Sequence, residues 1–150
     1  MAHSFCRIYV HLIFSTKERQ RWLDEAIRPR VHAYLATLAR DAGCPYVIVG
    51  GPEDHVHVLA DIGKKAQPVD MVRHIKQESS KFVKTLGADY HHFYWQQGYG
   101  MFSVGPMRVD DVRKYIDGQV EHHRRHTFQD EFRAFLDRYR IEYDERYIWE

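Results

Sequence analysis

Asp54-His55-Val56-His57-Val58-Leu59-Ala60-Asp61-Ile62 is the stretch from which the rest of the chain can be read. Polar and apolar residues alternate at its start, the period of a β-strand, and residues two apart on a strand share a face. His55 and His57 therefore project side by side, while Val56 and Val58 point the other way, toward helices. Just upstream, Tyr46 to Val49 is a short β-branched run, and Gly50-Gly51-Pro52 is a turn. The two runs predict a hairpin.

Working outward, Ile8 to Ser15 alternates as well. Ile8, Val10, Leu12 and Phe14 fall on one face, and Tyr9, His11 and Ile13 on the other, so a strand covered on both sides is expected. Val31, Leu35, Leu38 and Ala42 recur at helical spacing and predict a helix from about Asp24 to Ala42, ended by Gly43 and Pro45. After a basic loop, Pro68 suits the first position of a second helix. Its stripe is Val72, Ile75, Ser79, Phe82 and Leu86, and Gly87 ends it. Tyr90 to Tyr99 is an aromatic loop, and Met101 to Val104 a short strand. A third helix is expected from Arg108 to about Arg125, with Val109, Val112, Ile116 and Val120 as its stripe, and a fourth from Phe128 to about Arg138. The first six elements follow the split β-α-β order. An α+β fold is expected: a ferredoxin-like antiparallel sheet with helices on one face and an additional C-terminal helix bearing Tyr115.

The 150 residues suit a single domain, and 44% hydrophobic residues are enough for a core. No apolar run is long enough to span a membrane, and residues 1–5 lack the pattern of a signal peptide. Two cysteines suit reduced thiols, so a cytoplasmic protein is expected. The net charge of +1 excludes a surface coated in positive charge but leaves room for local basic clusters. Phosphate-loop, Cys-x-x-Cys and Gly-x-Ser-x-Gly motifs are all missing from the sequence, which removes the common nucleotide, structural-zinc and serine-hydrolase readings.

Eleven histidines and ten tyrosines dominate the chemistry. Two adjacent imidazoles can hold a divalent ion, although two histidines packed on a sheet surface satisfy the same pattern. Tyr115 and Gln119, four apart, share one helix face. A phenol is a poor nucleophile near neutrality, but a cation that polarises a phosphate makes its attack feasible. Gln119 offers an amide oxygen to a hard cation. A tyrosine beside an apolar stripe is equally compatible with a core position. Lys64, Lys65, Arg73, Lys76, Lys81 and Lys84 form a basic loop and helix that could meet phosphates or simply face solvent. The aromatic loop, Trp95 included, could stack bases or cover a sheet edge. Glu121 to His126 could add acid–base or phosphate contacts.

Taken in order, these segments resemble the single-tyrosine HUH transposases of the smallest bacterial insertion sequences, including the REP-associated tyrosine transposases. The resemblance runs from Tyr9 to about His123. It rests on Tyr9-Val10-His11-Leu12-Ile13-Phe14, Asp54-His55-Val56-His57, Ile75-Lys76 through Phe82-Val83-Lys84, Trp95-Gln96-Gln97-Gly98-Tyr99, Phe102-Ser103-Val104 and Val112-Arg113-Lys114-Tyr115-Ile116-Asp117-Gly118-Gln119. It implies that Tyr115 is the nucleophile and that His55, His57 and Gln119 hold a divalent cation, Mg²⁺ or Mn²⁺. It further implies cleavage and rejoining of single-stranded DNA at hairpins through a 5′-phosphotyrosine, by a homodimer whose active site could be assembled in trans. Two other readings fit the residues: a replication-initiator or relaxase-type nuclease using the same chemistry, and a non-catalytic module that binds single-stranded nucleic acid.

Overall fold

The computed structural model describes residues 3–150. Four antiparallel strands, β1 (Tyr9–Ser15), β2 (Tyr46–Gly50), β3 (His55–Asp61) and β4 (Gly100–Val104), pair in the order β2-β3-β1-β4. Helices α1 (Arg28–Asp41) and α2 (Pro68–Lys84) occupy the two crossovers, completing the expected split β-α-β arrangement. Three further helices follow β4: α3 (Val109–Asp117), α4 (Gln119–His122) and α5 (Phe128–Arg138).

Alternation along the strands separates two layers. Val10, Leu12 and Phe14 of β1 and Val56, Val58 and Ala60 of β3 form one core with Val31, Leu35, Val72, Ile75 and Val83 of α1 and α2. On the opposite face, Ile13 and Phe102 pack against Phe128, Phe132 and Leu136 of α5. The register aligns Ile13 with His57 and Ser15 with His55, so both histidines face the C-terminal helices. The first layer is a conventional apolar core; the second carries the polar residues of interest.

Two helices depart from the expected boundaries for local reasons. The first begins at Arg28 rather than Asp24, because the Asp24 carboxylate accepts the backbone N–H groups of Ala26 and Ile27 and holds a turn ahead of the helix. The expected third helix breaks at Gly118, whose ψ of 10° lies outside the helical range, and resumes as the single turn α4. That break leaves Val120, expected in the apolar stripe, exposed, while Gln119 is buried. The expected fourth helix is found at Phe128–Arg138, where the Thr127 side chain accepts from the Asp130 N–H.

Lys76 and Trp95 have structural employment. The Lys76 ammonium donates to the carbonyls of Gln96, Gln97 and Gly98 at 2.6–3.0 Å, tying the aromatic loop to α2. Trp95 is buried against Phe14 and Phe93, and its indole N–H donates to Ser79 Oγ at 2.9 Å. The stripe's one small residue therefore serves as a hydrogen-bond partner.

Two glycines set how closely the second helix layer approaches the sheet. A Cβ on Gly50, at the end of β2, would lie 2.5 Å from Ile116 Cγ2 of α3. A Cβ on Gly100, at the start of β4, would lie 2.6 Å from the Phe132 ring of α5. Gly105 has nothing within 4 Å of such an atom. Gly50→Ala and Gly100→Ala should each destabilise the fold by about 1–3 kcal/mol through overpacking, while Gly105→Ala should stay within about 0.5 kcal/mol of the parent. Chemical denaturation of the three variants checks this. Equal stability for all three would mean that α3 and α5 do not seat on the sheet as described.

Candidate metal and tyrosine centre

His55 and His57 enter the second layer from β3, and both are fully buried. Gln119 enters from α4 and is 1% exposed; its Oε1 lies 3.3 Å from His55 Nε2. Tyr115, half-buried on α3, places its ring 5.7 Å from that of His57. The four residues marked in the sequence therefore meet in one place, within one chain. Ile116, the neighbour of Tyr115, occupies the space left by Gly50, which fixes how far α3 leans over the histidines.

Five more groups join them. Glu131 of α5 lies in the centre of the cluster: Oε1 is 3.2 Å from His55 Nε2 and 3.0 Å from His57 Nε2. Its Oε2 is 3.2 Å from His123 Nε2 and 3.3 Å from His122 Nε2, and accepts from the Tyr115 hydroxyl and from Gln119 Nε2. His11, one strand over on β1, puts Nε2 2.7 Å from His57 Nδ1. Asp54 Oδ1 lies 2.7 Å from His55 Nδ1. The outer nitrogen of each histidine of the pair is thus held, and each inner nitrogen faces the centre. This is how metal-binding imidazoles are oriented by neighbours.

The electrostatics follow from burial and this crowding. Burial lowers the His57 pKa to about 4 and, with His57 alongside, that of His11 to about 3. Burial also opposes protonation of His55, but hydrogen bonds to Asp54 and Glu131 outweigh it and raise its pKa. Burial alone would raise the pKa of Glu131; the imidazoles of His123, His55 and His57 overcome that and hold it far below the usual carboxylate range. For Tyr115, burial and then the Glu131 charge push the phenol well above its ordinary value. Two buried atoms, His57 Nε2 and Glu131 Oε1, have no hydrogen-bond partner although they face each other. A buried pair left this way fits a cation between them. Imidazole nitrogens with carboxylate and amide oxygens form a donor set suited to a divalent ion.

Neither His11 nor Glu131 stands out in the sequence. Each carries a signal nonetheless. His11 shares a strand face with Ile13, and Glu131 interrupts the inward stripe Phe128, Phe132, Phe135, Leu136 of a helix. Charged or titratable residues at such positions need partners.

The basic residues of α2 lie across the sheet from this centre. Arg73 pairs with Asp70 and Lys81 with Glu78, both in exposed positions, and Lys84 sits over the Tyr94 ring at 4.1 Å. Lys64 donates to the Ser4 carbonyl, and Lys65 is exposed. Beside the centre itself are two arginine-bearing clefts. One, of about 510 Å³, is lined by Tyr115, His11, His122, Arg108 and Arg138. The other, of about 570 Å³, is lined by His123, Arg21, Arg28, Arg124 and Arg125. Among the described residues no helix is long and apolar enough to cross a membrane.

Comparison with known proteins agrees with this architecture. A presumed transposase from Deinococcus radiodurans R1 superposes with a TM-score of 0.60 over 79% of this chain and 95% of its own, at 21% identity. A REP-associated tyrosine transposase bound to a REP hairpin superposes with a TM-score of 0.54 over 81% of this chain and 73% of its own, at 13% identity. No curated protein sequence matches the chain. The family model described as "Transposase IS200 like" matches residues 4–119, a span that contains His55, His57, Tyr115 and Gln119, and the chain accordingly belongs to the IS200-like transposase family.

Proposed function

We propose that this transposase cleaves and rejoins single-stranded DNA through Tyr115, with a divalent cation held by His55, His57 and Gln119. The observation that carries the reading is the convergence of a phenol on an amide and two oriented imidazoles within one chain. A bound Mg²⁺ or Mn²⁺ would polarise the scissile phosphate and offset the charge that develops on it. Tyr115 Oη forms the new bond to phosphorus as the bond to the 3′ oxygen breaks. This leaves a 5′-phosphotyrosine and, once that oxygen takes a proton, a free 3′-OH. The phenol proton has two acceptors within reach: Glu131 Oε2, and His122 Nε2 at 3.4 Å. Attack by another 3′-OH on the phosphotyrosine reverses the exchange and joins strands without further energy input.

The substrate class follows from the same elements. A hairpin-bound structure among the relatives makes hairpin-flanked single strands the first substrate to test. The arginine-lined clefts beside Tyr115 and His123 are better placed for its phosphates than Lys64, Lys65, Arg73, Lys81 and Lys84, which lie on or near the far layer. A second copy of the chain as a homodimer partner is compatible with this centre, although the four marked side chains already meet in one protomer.

Tyr115→Phe should abolish a covalent adduct with labelled single-stranded hairpin DNA while retaining DNA binding, and EDTA should abolish the adduct in the parent. Denaturing gels read both. An adduct formed by Tyr115→Phe would assign the nucleophile elsewhere.

A pH effect follows from the buried imidazoles. In the unfolded chain His11 and His57 take up protons near pH 6.5, whereas in the fold they stay neutral down to about 3 and about 4. The unfolded state therefore binds more protons between those limits. This contribution to stability is complete above pH 6.5 and declines as pH falls toward 4. His55, with its raised pKa, acts in the opposite sense, contributing below pH 6.5 and losing that contribution as pH rises through its folded value. Thermal melts of metal-free protein should fall across pH 6.5 to 4, and His11→Gln should flatten that fall. An unchanged slope in His11→Gln would remove His11 from the account.

A further inference from the structure

His123, like the histidine pair, has its outer nitrogen pinned and its inner nitrogen turned to the centre. Its Nδ1 lies 2.6 Å from the His126 carbonyl, an acceptor, so Nδ1 donates there and Nε2 is the nitrogen turned to Glu131 Oε2, 3.2 Å away. Three imidazoles on two separate elements thus converge through Nε2 on one buried carboxylate. One nitrogen from each of the three and a Glu131 oxygen all lie within 4.8 Å of one another. Glu131 Oε1 lies 3.2 and 3.0 Å from His55 and His57 Nε2, Glu131 Oε2 lies 3.2 Å from His123 Nε2, and Gln119 Oε1 lies 3.3 Å from His55 Nε2, the separations of neighbouring donors around a single ion. Bonds of about 2.0–2.2 Å to one ion put adjacent donors roughly 3–3.5 Å apart. Within this cluster the buried His57 Nε2 and Glu131 Oε1 are left without hydrogen-bond partners, as two donors to one ion would be.

We propose that Glu131 and His123 complete the cation site, so that the centre is three imidazoles, one carboxylate and one amide rather than two imidazoles and an amide. This rests on the functional reading above and extends it in two ways. First, the donor set becomes rich in nitrogen. Imidazole suits Zn²⁺ and its neighbours in the first transition row, whereas Mg²⁺ favours oxygen ligands and retained waters, so the site selects Zn²⁺ over Mg²⁺, with Mn²⁺ between them. Second, one carboxylate serves both halves of the centre. Oε1 faces the histidine pair while Oε2 accepts the Tyr115 hydroxyl, so the cation and the nucleophile are positioned through the same side chain.

Calorimetric titration of the metal-free protein with Mn²⁺, Zn²⁺ and Mg²⁺ tests this directly. Mn²⁺ and Zn²⁺ should bind at least tenfold more tightly than Mg²⁺. Glu131→Gln and His123→Ala should each weaken Mn²⁺ binding by about 10–100-fold, Glu131→Asp should recover part of the loss, and Tyr115→Phe should bind Mn²⁺ like the parent. Circular dichroism melts identify any variant that has lost its fold; should Glu131→Gln be one, His123→Ala and Glu131→Asp carry the test. Unchanged affinity in Glu131→Gln or His123→Ala, or Mg²⁺ bound as tightly as Mn²⁺, would overturn the proposal. Tighter binding in Glu131→Gln would identify the carboxylate as a competitor of the cation and overturn it as well. The parent reading fails separately, by a covalent adduct that survives both EDTA and Tyr115→Phe.

Discussion

A buried carboxylate governs the second helix layer. The side chain of Glu131 is 2% exposed. Removing an ionised carboxylate from water costs several kcal/mol unless neighbouring groups compensate. Compensation comes from four imidazoles, an amide and a phenol, supplied by β3, α3, α4 and the turn that follows α4. Each must sit within about 3.5 Å of the carboxylate to be effective. Helix α5 is therefore held by more than its apolar stripe. Phe128, Phe132 and Leu136 supply the burial, and Glu131 fixes the register at which that burial occurs.

The sheet makes such a layer possible in structural terms. Its other face, with α1 and α2, is packed almost wholly with aliphatic and aromatic side chains and supplies the main core. The C-terminal helices are then free to surround polar groups without carrying the fold alone. Strand β1, like β3, is paired on both sides, so His11 stands on an interior strand of the sheet. From there it holds the outer nitrogen of His57. Stiffness matters because an imidazole must present one nitrogen in one direction to bind an ion.

Much of this is legible in the amino-acid sequence, and the division between what is and what is not is physical. Alternation is local, so spacing alone places His55 and His57 on one face. Four-residue spacing is local too, and it joins Tyr115 to Gln119. The order of strands and helices follows from periodicity, and the sheet order from that. Glu131 and His11 escape such reading, and His123 is visible only as one of the run Glu121 to His126, because their roles depend on what lies opposite them across the sheet or between helices. Lys76 and Trp95 illustrate the converse. Their residue types suggest contact with nucleic acid, but tertiary structure gives Lys76 three loop carbonyls to hold and Trp95 a place in the core. The α3–α4 break lies in between: Gly118 stands within the expected third helix, yet the burial of Gln119 and exposure of Val120 come only with packing.

The seat of α3 bears on how such a centre is assembled. Ile116 fills the space over Gly50, and Tyr115 is carried over the histidines as a consequence. Nothing in that contact depends on which chain supplies the helix. The connection before α3 passes Gly105, where an added Cβ would meet nothing within 4 Å, and the connection after it passes Gly118. A helix exchanged between two identical chains would meet the same seat, and two-fold symmetry would preserve every contact in it. A single protomer already brings Tyr115 and Gln119 beside His55 and His57. Glu131 is the group that would feel an exchange, because it lies beyond Gly118 on α5 and binds both the histidines of β3 and the phenol of α3.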